Sequence, residues 1–179
     1  MAMPNAVKRW TLQELHSLPD DGNKYELVRG ELFVTPPPTF DHETIAARLA
    51  QVLTPYVGIH GLGLVYRPRA VLRFEGSEVE PDLMVRRAAL GADWDRAPIP
   101  ILVVEILSPS TRRRDREHKR ELYTDASIAE YWMVDPERRT ITVVAAGRPD
   151  VTETETLAWS PAGASAPLMI EVATLFSER

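Results

Sequence analysis

The run Ile101-Leu102-Val103-Val104-Glu105-Ile106-Leu107 constrains the fold more than any other part of this chain. Its apolar residues do not alternate with polar ones, which is the pattern of a strand covered on both faces. Such a strand belongs in a sheet with layers on each side, and the chain reads as α+β with a central mixed sheet. The run also holds a carboxylate. Burying an ionised Glu105 costs several kcal/mol unless a cation or strong donors compensate. A second acid, Asp82, follows Pro81 in the strand-like segment from Val79 to Val85. Two acids meeting at one point make a site for a hard divalent cation. Magnesium takes oxygen ligands, commonly one or two carboxylates with water and substrate phosphate.

The chain has 179 residues, enough for one domain spanning 1–179 with a substantial core. No apolar stretch approaches the ~20 residues that span a bilayer. Residues 1–10 lack the apolar core of an export signal, and the cytoplasm is the expected location. The absence of cysteine excludes disulfides, thiolate metal sites and cysteine nucleophiles. The net charge of −5 speaks against non-specific nucleic-acid binding, but residues 111–120 carry six basic and two acidic side chains. That segment either faces a polyanion or is a solvated helix face.

The pattern predicts a short helix from Trp10 to Ser17, with Thr11 and Glu14 as a capping box. Strands follow at Tyr25–Val28 and Glu31–Val34, turning near Arg29-Gly30, and Pro36 to Pro38 stop the second. Thr39 or Asp41 caps a helix to about Tyr56 with Ile45, Leu49, Val52 and Leu53 on one face. Leu64 to Phe74 suits a strand with a bulge or edge at Pro68, and residues 86–100 are irregular. Ser108 to Thr111 cap a helix from Arg112 to about Ala126. Glu130–Val134 and Thr140–Ala145 form a hairpin, Val151–Ala158 a further strand, and Leu168–Glu171 a last one before a short helix.

On the helix after Glu105, Asp115, Lys119 and Tyr123 stand at i, i+4 and i+8 and share a face. A lysine beside two carboxylates and a metal can hold a phosphate, orient water or stabilise developing charge. With a metal supplying the nucleophile from water, no protein nucleophile is needed to hydrolyse a phosphodiester. Ser108 and Ser110 have no triad partner. His16, His60 and His118 lack metal-ligand spacing, and Trp94, Trp132 and Trp159 read as core or loop anchors.

These residues resemble the Uma2 family, within the PD-(D/E)xK nuclease superfamily. The resemblance runs from Tyr25-Glu26-Leu27-Val28-Arg29-Gly30-Glu31-Leu32 to Glu130-Tyr131-Trp132-Met133-Val134-Asp135-Pro136. It is most specific in Val103-Val104-Glu105-Ile106-Leu107-Ser108-Pro109-Ser110-Thr111 with Asp115, Lys119 and Tyr123, while Pro81-Asp82 supplies the "PD". It implies a restriction-endonuclease-like core, a central mixed sheet flanked by helices with added β-hairpins. It implies Mg²⁺ or Mn²⁺ held by Asp82 and Glu105, DNA as substrate, and Lys119 as a catalytic lysine displaced onto the following helix. The superfamily's own lysine place, two residues after the acid, holds Leu107. The family's early acid corresponds to Glu31, with Glu26 as the alternative, and His42 matches a histidine position. Asp115 and Tyr123 stand at the site rim. A homodimer would present two such sites. Two rival readings remain: a catalytically degenerate nuclease fold that binds or regulates, and a metal-dependent hydrolase of a small phosphorylated metabolite.

Overall fold

The computed structural model describes residues 8–177. The reading of residues 1–7 as lacking an export signal therefore lies outside the described residues. The chain opens with helix α1 (Leu12–His16), whose capping box forms as expected between Thr11 and Glu14. Strands β1 (Lys24–Val28) and β2 (Glu31–Thr35) make a hairpin. Its two turn residues, Arg29 and Gly30, have φ of 50° and 85°, the left-handed values that a tight two-residue hairpin turn requires. Helix α2 (Phe40–Ile59) is capped by the Thr39 side chain, which accepts from the His42 N–H.

Three short strands follow, β3 (Leu64–Tyr66), β4 (Leu72–Phe74) and β5 (Ser77–Val79), and then β6 (Leu83–Arg86) and the central β7 (Leu102–Ile106). The next helix has three parts: α3 (Arg112–Arg114), a π-helical segment (Asp115–Lys119) and α4 (Arg120–Asp125). The chain ends with β8 (Glu130–Asp135), β9 (Thr140–Ala145), β10 (Val151–Glu153), β11 (Thr156–Trp159), β12 (Leu168–Glu171) and helix α5 (Val172–Leu175).

A six-stranded sheet runs β10-β9-β8-β7-β6-β3, with β7 and β8 parallel and every other pair antiparallel. A four-stranded antiparallel sheet runs β2-β1-β5-β4, and β11 and β12 pair as a hairpin. The fold is α+β with a mixed central sheet and flanking helices. No helix among the described residues is long and apolar enough to cross a membrane.

Every residue of β7 is buried, as its unbroken apolar pattern requires. Alternation sends Leu102, Val104 and Ile106 into the core beneath α2, with Leu49, Leu53 and Trp132. Val103 and Leu107 enter a second core with Leu122, Tyr123 and Tyr131. Glu105 shares the parity of Val103 and Leu107, so it points towards the helix that carries Lys119.

Three segments expected as single strands each divide between two sheets. Leu64–Phe74 breaks at the turn closed by Ala70 N–H and Arg67 O, sending β3 and β4 to different sheets. Val151–Ala158 bends between β10 and β11. Val79–Val85 breaks at Glu80-Pro81-Asp82, where the chain passes from β5 in one sheet to β6 in the other. Proline has no N–H to give a ladder, which suits it to this crossing. The break places Asp82 at the junction of the two sheets.

Candidate active site

The register of β6 on β7 pairs Leu83 with Val104 and Met84 with Val103. One step further along this antiparallel ladder sets Asp82 opposite Glu105. The backbone ties them together, because the Ile106 N–H donates to Asp82 Oδ2 at 2.7 Å. His42 Nε2, from the first turn of α2, lies 3.1 Å from the same oxygen. Lys24 Nζ stands 3.5 Å from Asp82 Oδ1 and donates to Glu80 O at 3.0 Å.

Lys119 crosses from the π-helical segment to meet Glu105 Oε1 at 2.7 Å, where the Tyr123 hydroxyl also donates at 2.8 Å. The Lys119 ammonium further meets Glu26 Oε1 at 2.8 Å and Asp115 Oδ1 at 3.7 Å. Arg114 stands beyond it, 3.2 Å from both Glu26 Oε2 and Asp115 Oδ1, and donates to Thr35 Oγ1. Tyr131 donates to the Asp115 carbonyl. A π-helical turn adds one residue to the local helical repeat and is common at functional sites. Here that turn begins with Asp115 and ends with Lys119, both buried.

The fold gathers Asp82, Glu105, Lys119, Asp115, Tyr123 and His42 into one cluster. Glu31 is not brought there. It lies half-exposed on β2 with its carboxylate 3.4 Å from His118 Nδ1. Glu26, three places before the hairpin turn, is fully buried and meets Lys119 and Arg114. The register pairs Glu31 with Val28, which shares the parity of Glu26, so both acids lie on one face of the hairpin and differ in how far along it they stand.

Lys24 was missed, and Arg114 was read only as one of several arginines of the basic segment, open to a polyanion or to solvent. Both sit in polar stretches where a surface reading is the default. Arg112 and Arg116 pair with Asp135, and Arg112 also with Glu137, so much of the basic segment is engaged within the protein. Ser108 and Ser110 do not cap the helix. Their hydroxyls bond one another, and Ser108 also bonds Thr111.

A cleft of about 470 Å³ opens on this cluster. Its wall includes Asp82, Glu105, Lys24, His42, Arg114 and Asp115, with Pro36 to Pro38 and Pro109 as stiff lips. Lys119, fully buried, is not part of the wall.

Four carboxylates (Glu26, Asp82, Glu105, Asp115) face three cations (Lys24, Arg114, Lys119), leaving one net negative charge when His42 is neutral. Burial pushes the Glu105 carboxyl up to about 7; Lys119 opposes the rise and neighbouring Asp82 adds to it. Glu26 is also buried, but Lys119, Lys24 and Arg114 outweigh that and hold it down at about 2. Burial likewise opposes ionisation of Asp82, yet Lys24, His42 and the Ile106 N–H keep its pKa below the usual range. Burial disfavours charge on His42, and Asp82 outweighs it, so its pKa is raised.

These shifts set a pH dependence. Between the ordinary carboxylate value near 4.5 and about 7, the folded chain holds a proton on Glu105 that the unfolded chain has released. Stability therefore falls as pH rises through that window. His42 acts with the same sign above its ordinary value of 6.5. Glu26 and Asp82 contribute oppositely, but only below that window. Denaturant titration in chelator is expected to give lower stability at pH 8 than at pH 5. A flat profile would place Glu105 in contact with bulk water.

The comparisons with known proteins agree with this architecture. The solved structure of a protein from Anabaena variabilis ATCC 29413, titled a putative nuclease belonging to DUF820, superposes with a TM-score of 0.77 at 20% identity. The match covers 93% of this chain and 97% of that one. It establishes a shared fold. None of the curated proteins compared matches the chain. The family model for Uma2, described as "Putative restriction endonuclease", matches residues 12–173, from the first helix to the last. The chain belongs to the Uma2 family.

Proposed function

We propose that this protein is a divalent-metal-dependent nuclease that hydrolyses phosphodiester bonds, those of DNA in particular, by single-step displacement. The observation that carries the reading is the pairing of Asp82 and Glu105 across β6 and β7 at the wall of a cleft. The donor set fits Mg²⁺ or Mn²⁺. Glu105 Oε2 accepts no hydrogen bond from the described residues, and the described contact of Asp82 Oδ1 is Lys24 at 3.5 Å. Among the described residues no three His, Asp or Glu side chains stand so as to hold one metal ion together. Two carboxylates, with water and substrate phosphate, nevertheless meet what magnesium commonly takes. When bound, such a cation lowers the pKa of water and offsets charge on the phosphate.

The chain's own residues prepare the site. Ile106 N–H and His42 fix Asp82. Lys119 and Tyr123 hold Glu105 by one oxygen and leave the other available. Glu26 and Asp115 anchor Lys119, and Arg114 braces both.

The test is cleavage of supercoiled plasmid, linear duplex and single-stranded DNA with Mg²⁺ or Mn²⁺, comparing wild type with Asp82→Asn. Cleavage lost in the variant is the expected result. Linear product formed directly from supercoiled plasmid is the mark of a homodimer with two clefts, and nicked circles that of a lone cleft. One observation favours a second reading, a binding or regulatory protein on a nuclease fold: Lys119 is sealed away from the cleft. No cleavage, together with no divalent-cation binding by calorimetry, would select it. Turnover of a small phosphate ester without DNA binding would select a metabolite hydrolase.

A further inference from the structure

We propose that Lys24, rather than Lys119, is the lysine that contacts the scissile phosphodiester, and that Lys119 is a positioning residue holding Glu105. This inference rests on the nuclease reading above and names the phosphate contact within that site.

An ammonium has three protons to donate. Around Lys119 stand Glu105 Oε1 at 2.7 Å, Glu26 Oε1 at 2.8 Å and Asp115 Oδ1 at 3.7 Å. The side chain is fully buried and outside the cleft wall. To reach a phosphate it would have to abandon at least one buried carboxylate, leaving that charge uncompensated.

Lys24 differs on each count. It lines the cleft, its side chain is one-fifth exposed, and it sits on the Asp82 side of the acid pair. One good hydrogen bond, to Glu80 O at 3.0 Å, ties it down. The Asp82 contact at 3.5 Å is long. It therefore has donor capacity left beside the carboxylate that would share a cation with the substrate.

The other cationic wall residues are committed elsewhere. Arg114 is held by Glu26, Asp115 and Thr35, and Arg69 pairs with Asp20. Composition points the same way. The chain has three lysines against eighteen arginines, and two of the three stand in this cluster. The third, Lys8, is exposed beside Glu14. An ammonium is a compact charge with rotatable donors, suited to a crowded carboxylate pocket. Leu107, in the superfamily's lysine place, is packed in the second core. The missing ammonium is thus supplied from β1 in the other sheet.

Three lysines allow a direct test. Protein labelled with ¹³C at the lysine ε-carbon shows three signals, assigned by Lys8→Arg and Lys24→Arg. A short DNA duplex is titrated in chelator, and cleavage by Lys24→Gln and Lys24→Arg is measured with Mg²⁺ or Mn²⁺. The expected result is a shift of the Lys24 signal with Lys119 stationary. Cleavage should fall on the order of 100-fold in Lys24→Gln, as for loss of one charge-stabilising donor, and recover partly in Lys24→Arg. A moving Lys119 signal with Lys24 stationary would overturn the assignment, as would wild-type cleavage by Lys24→Gln. If wild type cleaves, such a result removes this assignment alone. If wild type neither cleaves nor shows any lysine shift, the nuclease reading fails and takes this inference with it.

Discussion

Glu105→Gln is expected to lower cleavage on the order of 100-fold or more, the scale on which even supporting groups of metal sites act, while leaving the fold at least as stable as wild type at pH 8. Glutamine keeps a carbonyl oxygen for Lys119 and Tyr123, which both bond Glu105 Oε1. It removes one charge from a cluster with four carboxylates and three cations, and that charge is already disfavoured, since burial pushes the Glu105 carboxyl up to about 7. The variant should therefore lose the decline in stability between pH 5 and pH 8 as well as divalent-cation affinity. Calorimetric titration with Mn²⁺ and denaturant curves at the two pH values check all three parts. If the variant unfolds while the wild type binds no cation, Glu105 is simply a structural counter-ion for Lys119.

Lys119→Met has the opposite signature, a large cost in stability. Removing one partner of a buried ion pair typically costs about 3–5 kcal/mol, because the other charge stays behind. Here Glu105, Glu26 and Asp115 would all lose a shared cation. Urea denaturation at pH 8 should show a loss of that order. Part of it should return at pH 5, where Glu105 can take a proton. A loss below about 1 kcal/mol would mean that water reaches the cluster and screens it. On these expectations the two variants separate the proposed roles: Glu105 needed for chemistry and tolerated by the fold, Lys119 needed by the fold and acting on chemistry through Glu105.

Much of this site was legible in the linear chain, for reasons tied to particular residues. Glu105 stood out because a carboxylate in an unbroken apolar run has few structural explanations. Asp115, Lys119 and Tyr123 stood out because helical spacing stacks them on one face, and the π-helical turn between the first two did not disturb that outcome. Asp82 was identified, but its setting was not. It was read as part of a continuous strand, and it lies at a break between two sheets. Lys24 carried no signal and Arg114 only that of the basic run around it, because nothing in a polar stretch shows that a distant acid will fold against it. Glu26 and Glu31 were the clearest ambiguity. Both belong to one hairpin, yet one is fully buried and the other half-exposed.

The sequence by itself determined that a two-faced buried strand would carry an acid into the interior, and that a lysine would follow one helix later. Those properties follow from hydrophobic pattern and helical periodicity, which are local. Only the tertiary structure decided which acids and cations meet, which lysine faces the cleft and which is sealed behind it. Those outcomes depend on strand register and on the packing of two sheets, where residues as far apart as Lys24, Asp82 and Lys119 become neighbours. In a buried cluster each charge is tolerable only through the others, so its members can be assigned only once all of them are in place.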